Sequence, residues 1–225
     1  PTIRDDYPTV STTHSVSTRT VDFVTSARVY ALPGRTVTVT RRDSSDAPLA
    51  VFVNDLRDGT SHIFGDELYA RPAFLRGNAI ALTRGQPLYL TSPYGGILFL
   101  DVGVGSSLSD VAVDFAGVAQ HPVYDGPGTE DSFKEALSHS ELGWAELLTP
   151  ALEIHSRMDL MKETVAGPDW NADVTTLVDW TWKYLYQDVW GLAGFVGNDL
   201  TQPATITAYC ANHGWNCSDP TVHGM

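Results

Sequence analysis

Residues 28–40 read Arg-Val-Tyr-Ala-Leu-Pro-Gly-Arg-Thr-Val-Thr-Val-Thr. The second half alternates strictly, valines at 37 and 39 and threonines at 36, 38 and 40. Side chains alternate between the two faces of a strand, so this pattern predicts a half-buried antiparallel strand with Val37 and Val39 inward. Pro33-Gly34 just before it is a strong turn signal, and residues 28–32 read as the strand entering that turn.

Working outward, short strands recur between glycine and proline breaks. Val21-Asp22-Phe23-Val24 opens one, and residues 49–53 form another. Residues 79–83 and 87–90 flank Arg84-Gly85-Gln86, a hairpin-like break. Residues 97–102 follow Pro93-Tyr94-Gly95-Gly96, and residues 111–115 alternate again. The expectation is a β-sandwich, jelly-roll-like, over residues 18–125. Upstream, residues 1–17 are rich in Thr and Ser and read as a leader or linker.

The style changes after Pro122. Asp131 is placed to cap a short helix over 132–138. Trp144-Ala145-Glu146-Leu147 leads into a strand. The clearest helix spans 173–192, where Val174, Val178, Trp182, Leu185, Val189 and Leu192 recur at helical spacing. Burial of Trp182, Leu185 and Val189 follows from that period. Residues 204–209 read as one more strand. The fold class is therefore mixed: mainly a β-sandwich, then an α/β segment over 126–225.

Composition bounds function. With 43% hydrophobic and 18% charged residues over 225 positions, the chain can bury a real core. Its net charge of −13 repels phosphate backbones and anionic lipid, so neither nucleic acid nor a membrane surface is an expected partner. No apolar run approaches the ~20 residues of a bilayer span.

Chemistry is harder to find. The sequence holds no P-loop, no complete dinucleotide fingerprint around Gly103-Val104-Gly105, no Gly-x-Ser-x-Gly elbow and no His-Glu-x-x-His. Glu153 and His155, two apart on one strand face, have the types of a base and its orienter, though a polar strand face is the simpler reading. Glu146 beside Trp144 has the types of an acid held against an aromatic wall, though a structural carboxylate is simpler. Cys210 and Cys217 bracket Ala-Asn-His-Gly-Trp-Asn. Reduced thiols, a local disulfide and a zinc site with His213 and His223 are all open. The turn-like intervening segment favours the disulfide, and the spacing fits zinc poorly.

Several segments, in order, resemble the N-terminal half of the enhancin-like, mucin-degrading zinc metallopeptidases. They are Tyr30-Ala31-Leu32-Pro33-Gly34 with its Thr-Val strand, Ser92-Pro93-Tyr94-Gly95-Gly96 before an apolar strand, Trp144-Ala145-Glu146-Leu147, and the aromatic helix. The resemblance covers roughly residues 25–225. It implies a secreted enzyme that cuts O-glycosylated proteins, with zinc held by a His-Glu-x-x-His helix and a downstream acid. That helix would lie beyond Met225. The expectation is therefore a non-catalytic fragment, without catalytic or metal residues of its own, whose partner is the remaining C-terminal catalytic part. The reading from another class is a carbohydrate-binding or adhesive β-sandwich.

Overall fold

The computed structural model describes residues 3, 6–17, 24–45, 47–54, 77–102, 110–149, 153–193 and 202–217. The chain forms two compact units, residues 1–121 and 122–225.

The first unit contains two antiparallel four-stranded sheets. One has the order β1 (Val10–Ser17), β8 (Asp110–Val118), β3 (Thr36–Arg41), β6 (Pro87–Thr91). The other has the order β2 (Val24–Ala31), β7 (Gly96–Asp101), β4 (Ala50–Val53), β5 (Ile80–Ala81). One apolar cluster draws on both: Val37, Val39, Val113 and Phe115 from the first sheet, Val29, Val51, Leu98 and Leu100 from the second. The valines of the deciding strand are inward as expected, Val37 and Val39 having no exposure, while Thr36 is exposed, Thr38 half-buried and Thr40 buried. The second sheet is apolar on its other face too, with buried Phe52 and Phe99 stacked at 5.6 Å.

Three differences from the sequence reading are instructive. Residues 10–17, expected within a leader, are strand β1, paired along their length with β8. They carry few apolar side chains because β1 is an edge strand, held by backbone hydrogen bonds on one side. Residues 80–81 and 87–91 do not form a hairpin: β5 pairs with β4 and β6 with β3, in different sheets. The Pro33-Gly34 turn does the same for β2 and β3. Each turn closes through a hydrogen bond, Arg35 N to Leu32 O and Gln86 N to Thr83 O, around a glycine of positive φ. A tight turn thus swings the chain from sheet to sheet rather than back along one. Residues 21–23 of the first expected strand lie outside the described residues.

The Ser92–Gly96 turn carries the chain across once more. Ser92 Oγ accepts from Gly95 N at 3.1 Å, and Asn54 Nδ2 donates to Gly95 O at 2.9 Å. A Cβ on Gly96 would sit 1.8 Å from Asn54 Oδ1, and Gly96 has φ +137°. Only glycine fits there.

The second unit packs helices on a small sheet of order β11 (Glu153–Arg157), β10 (Trp144–Leu148), β9 (Val123–Tyr124), with β10 antiparallel to β11 and parallel to β9. Helices α1 (Glu130–His139), α2 (Met158–Val165) and α3 (Val174–Trp180) supply Phe133, Leu137, Met161, Val165, Leu177 and Val178 to a core with Ala145 and Leu147 of β10. Helix α1 starts two residues earlier than expected, with Thr129 rather than Asp131 at its N-cap.

The long helix continues from α3 in π form over Thr181–Trp190. The wider turn shifts its inward stripe. Tyr186 is buried and Trp182 and Trp190 are half-buried, spaced by four, with Trp182 and Tyr186 stacked at 4.4 Å. Leu185 and Val189, expected inside from a 3.6-residue period, are 48% and 55% exposed. Residues 204–209, expected as a strand, lie in helix α4 (Ala204–Asn212), which starts after Pro203 as its N-cap. Pro203 O accepts from Ile206 N and Thr207 N, so the proline opens a helical turn that the β-branched run Thr-Ile-Thr does not reveal.

Candidate functional site

Antiparallel register places Glu146 opposite His155 and Leu148 opposite Glu153. Ala145 and Leu147 face the helices, so Glu146, Glu153 and His155 share the other face of the sheet. Glu146 is fully buried, and its Oε1 lies 2.7 Å from His155 Nδ1. His155 Nε2 lies 3.4 Å from Glu153 Oε2. The imidazole is clamped between two carboxylates.

Burial pulls the His155 pKa down, but the hydrogen bonds and charges of Glu146 and Glu153 outweigh it, and the net result is a rise to about 9. At neutral pH the ring is therefore an imidazolium with both N–H groups donating. Such a ring cannot accept a proton, which removes the general-base role from the Glu153–His155 pair. Glu146, singled out as an acid against an aromatic wall, is instead the buried anion of this ion pair. The geometry fits a polar strand face for Glu153 and His155 and a structural carboxylate for Glu146.

A second carboxylate organises the unit from a distance. Glu130, at the first position of α1, accepts from Val174 N, Thr175 N and Thr175 Oγ1 at 3.1, 3.1 and 2.6 Å, and from Lys134 Nζ. Burial alone would raise its pKa, yet these donors bring it down to about 2. Asp173 Oδ1 accepts from Thr176 N at 2.7 Å as the N-cap of α3. Two carboxylates thus meet the positive end of α3. The sequence marks only the local Glu130–Lys134 pair, four residues apart, and not the α3 partners 44 and 45 residues away.

Cys210 and Cys217 are joined in a disulfide with Cα atoms 6.0 Å apart. His213 lies on the loop it closes; His223 lies outside the described residues. Among the described residues, no group of three or more His, Cys, Asp or Glu is arranged to hold a metal ion. The His155 clamp is an ion pair with both nitrogens committed to carboxylates, so it does not fit zinc. In the first unit, an open cleft is lined by Arg41, Leu49, Leu82 and Arg84. Arg41 is buried and already engaged by Asp43, Ser45 O and Ala47 O. Among the described residues, no helix is long and apolar enough to cross a membrane.

No family model matches the chain. The immunomodulating metalloprotease of Pseudomonas aeruginosa is 30% identical over 201 residues, covering 87% of this chain and 22% of that protein. The structure of IMPa from Pseudomonas aeruginosa in complex with an O-glycopeptide superposes with a TM-score of 0.75 at 26% identity, over 98% of this chain and 26% of that one. The same metallopeptidase in complex with T-antigen gives 0.72 at 27% identity, over 97% and 26%. The catalytic module of the metalloprotease ZmpA from Clostridium perfringens shares the fold alone, at 11% identity and a TM-score of 0.52, over 76% of this chain and 40% of that one. The chain is thus homologous to a segment of the immunomodulating metalloprotease, and it spans about a quarter of the length of that relative.

Proposed function

We propose that this chain is the N-terminal, non-catalytic part of a secreted zinc metallopeptidase that hydrolyses O-glycosylated, mucin-like proteins. The observation that carries the reading is the 30% identity spread over 87% of the chain. The first unit, residues 1–121 with its two sheets, serves as scaffold, and residues 122–225 open the catalytic domain. Zinc belongs to the part of the protein that carries the His-Glu-x-x-His helix, a motif this sequence lacks. Bound there, zinc would activate a water for peptide hydrolysis.

Two features of the chain support this. The outer side of the long helix exposes Trp180, Tyr184, Leu185, Val189 and Leu192, an apolar surface that a following catalytic part would cover. The local disulfide suits an oxidising, extracellular compartment. The substrate class rests on the relative whose complexes contain an O-glycopeptide and T-antigen.

The test compares this 225-residue chain with the longer protein on an O-glycosylated mucin and on its deglycosylated form. The longer protein should cleave the glycosylated form in a chelator-sensitive way, and the chain alone should cleave neither. Chelator-sensitive cleavage by the chain itself would overturn the reading.

A further inference from the structure

Charge is divided unevenly between the two units. Residues 122–225 hold 15 acidic and 4 basic side chains, a formal −11 of the chain's −13, which leaves residues 1–121 close to neutral. The acidic unit also carries the apolar face of the long helix, where Trp180, Tyr184, Leu185, Val189 and Leu192 are 45% to 64% exposed.

That face has the anatomy of a protein interface. Tyr186 takes the buried side of the π-form stretch, and Trp180 and Tyr184 meet edge to face on the outer side at 6.0 Å. Trp and Tyr are the side chains that most often carry interface energy. Polar side chains edge the apolar centre, as at the rim of an interface: Asp179, Lys183, Gln187 and Asp188 are exposed on the same helix. Lys183 Nζ lies 4.9 Å from the Tyr184 ring centroid. Among the described residues, neither Asp179 nor Asp188 is in an ion pair.

Charge selects the occupant. A second copy of the chain would set −11 against −11. Anionic lipid and nucleic acid meet the same repulsion. A protein surface with an apolar centre and Lys or Arg at its rim gains from both features, by covering the five apolar side chains and by complementing the field of the whole unit. A longer protein has the chain to supply it, since the matched segment is 22% of the metalloprotease.

We infer that the outer face of the long helix docks the remaining part of the longer protein through a patch with an apolar centre and a basic rim, the rim pairing with Asp179 and Asp188. The inference rests on the reading above for the existence of that part, and adds the charge that it presents.

The experiment follows hydrogen exchange of residues 180–192 by mass spectrometry, in the longer protein and in the 225-residue chain. Exchange should be slower in the longer protein by about tenfold or more, as for a helix face that becomes covered. Raising salt from about 0.1 M to about 1 M cuts the Debye length from about 10 Å to about 3 Å and should return part of that protection, whereas a purely apolar contact would keep it. Asp179→Lys with Asp188→Lys should do the same at low salt in the longer protein and leave the 225-residue chain unchanged. Asp179→Asn with Asp188→Asn should act in the same direction but less, and serves if the charge-reversed protein misfolds. Glu163→Lys, an exposed site on α2, should have little effect. The inference fails if residues 180–192 exchange equally in both proteins, or if their protection ignores salt and both pairs of substitutions. It fails equally if Glu163→Lys matches the Asp variants, or if the 225-residue chain self-associates through this helix. Cleavage is not among the readouts, so an inactive longer protein counts against the peptidase reading, and the docking is still decided by exchange.

Discussion

Glu146 and His155 stand opposite each other on β10 and β11, carboxylate oxygen 2.7 Å from Nδ1, and the carboxylate has no contact with solvent. A buried anion is tolerated only with its partner in place. Replacing His155 with Gln should therefore destabilise the chain by about 2–4 kcal/mol, below the figure for fully buried pairs because the imidazole keeps 24% exposure. Replacing Glu146 and His155 together with Leu should recover much of that loss. Urea unfolding of the two variants checks the pair.

The same ion pair sets an alkaline limit. The folded pKa of His155, about 9, lies above its ordinary 6.5. Its contribution is therefore fully present below 6.5 and is lost as the pH rises through about 9. Glu130 sets the acid limit with the opposite sign. Its folded pKa, about 2, lies below its ordinary 4.5, so its contribution is present above 4.5 and is lost as the pH falls through about 2. Unfolding midpoints measured against pH should form a plateau between 4.5 and 6.5 and fall on either side, toward about 2 and about 9. The alkaline slope should flatten in His155→Gln and the acid slope in Glu130→Gln.

Glu130→Gln should also loosen α3 at neutral pH. The amide keeps a single acceptor oxygen where the carboxylate offers two to Val174 N, Thr175 N and Thr175 Oγ1. The expected cost is about 1–2 kcal/mol, that of losing a charged cap. Faster amide exchange at residues 174–176 would locate the effect.

Core and surface positions should respond differently. Phe115→Ala empties a position with 1% exposure between β1 and β3 and should cost about 3–5 kcal/mol. Leu185→Ala, at 48% exposure, should stay within about 0.5 kcal/mol in this chain. If the proposed catalytic part covers the long helix, Leu185→Ala should become costly in the longer protein. An equal, small effect in both would count against that covering.

Reduction of Cys210–Cys217 should cost about 2 kcal/mol, the value for closing so short a loop. The effect should be confined to α4 and its loop, read as lost protection of the Trp215 amide.

Where local pattern settles local structure, the sequence was readable. The Thr-Val alternation fixes which side of β3 is buried, and Asp173 marks the start of α3. What escaped it depends on partners distant along the chain. Pro33-Gly34 and Arg84-Gly85 announce turns but not that each joins two different sheets. The apolar spacing of the long helix was legible, but not the π widening that puts Tyr186 inside and Leu185 outside. At the candidate site, Glu146, Glu153 and His155 were all singled out, yet only the register of β10 against β11 turns them into one ion pair.

Strand β1 finds its partner late. Thr13 hydrogen-bonds Asp114, 101 positions away. A chain emerging from the ribosome at about 5–20 residues per second presents residues 10–17 some 5–20 s before β8 exists. During that interval the segment waits as an unpaired strand, open to wrong pairings and to proteases. Its sequence, Val-Ser-Thr-Thr-His-Ser-Val-Ser, holds only two apolar residues and stays hydrated while it waits. The polar composition that made it read as a leader or linker is what lets this strand wait for a partner made about a hundred residues later.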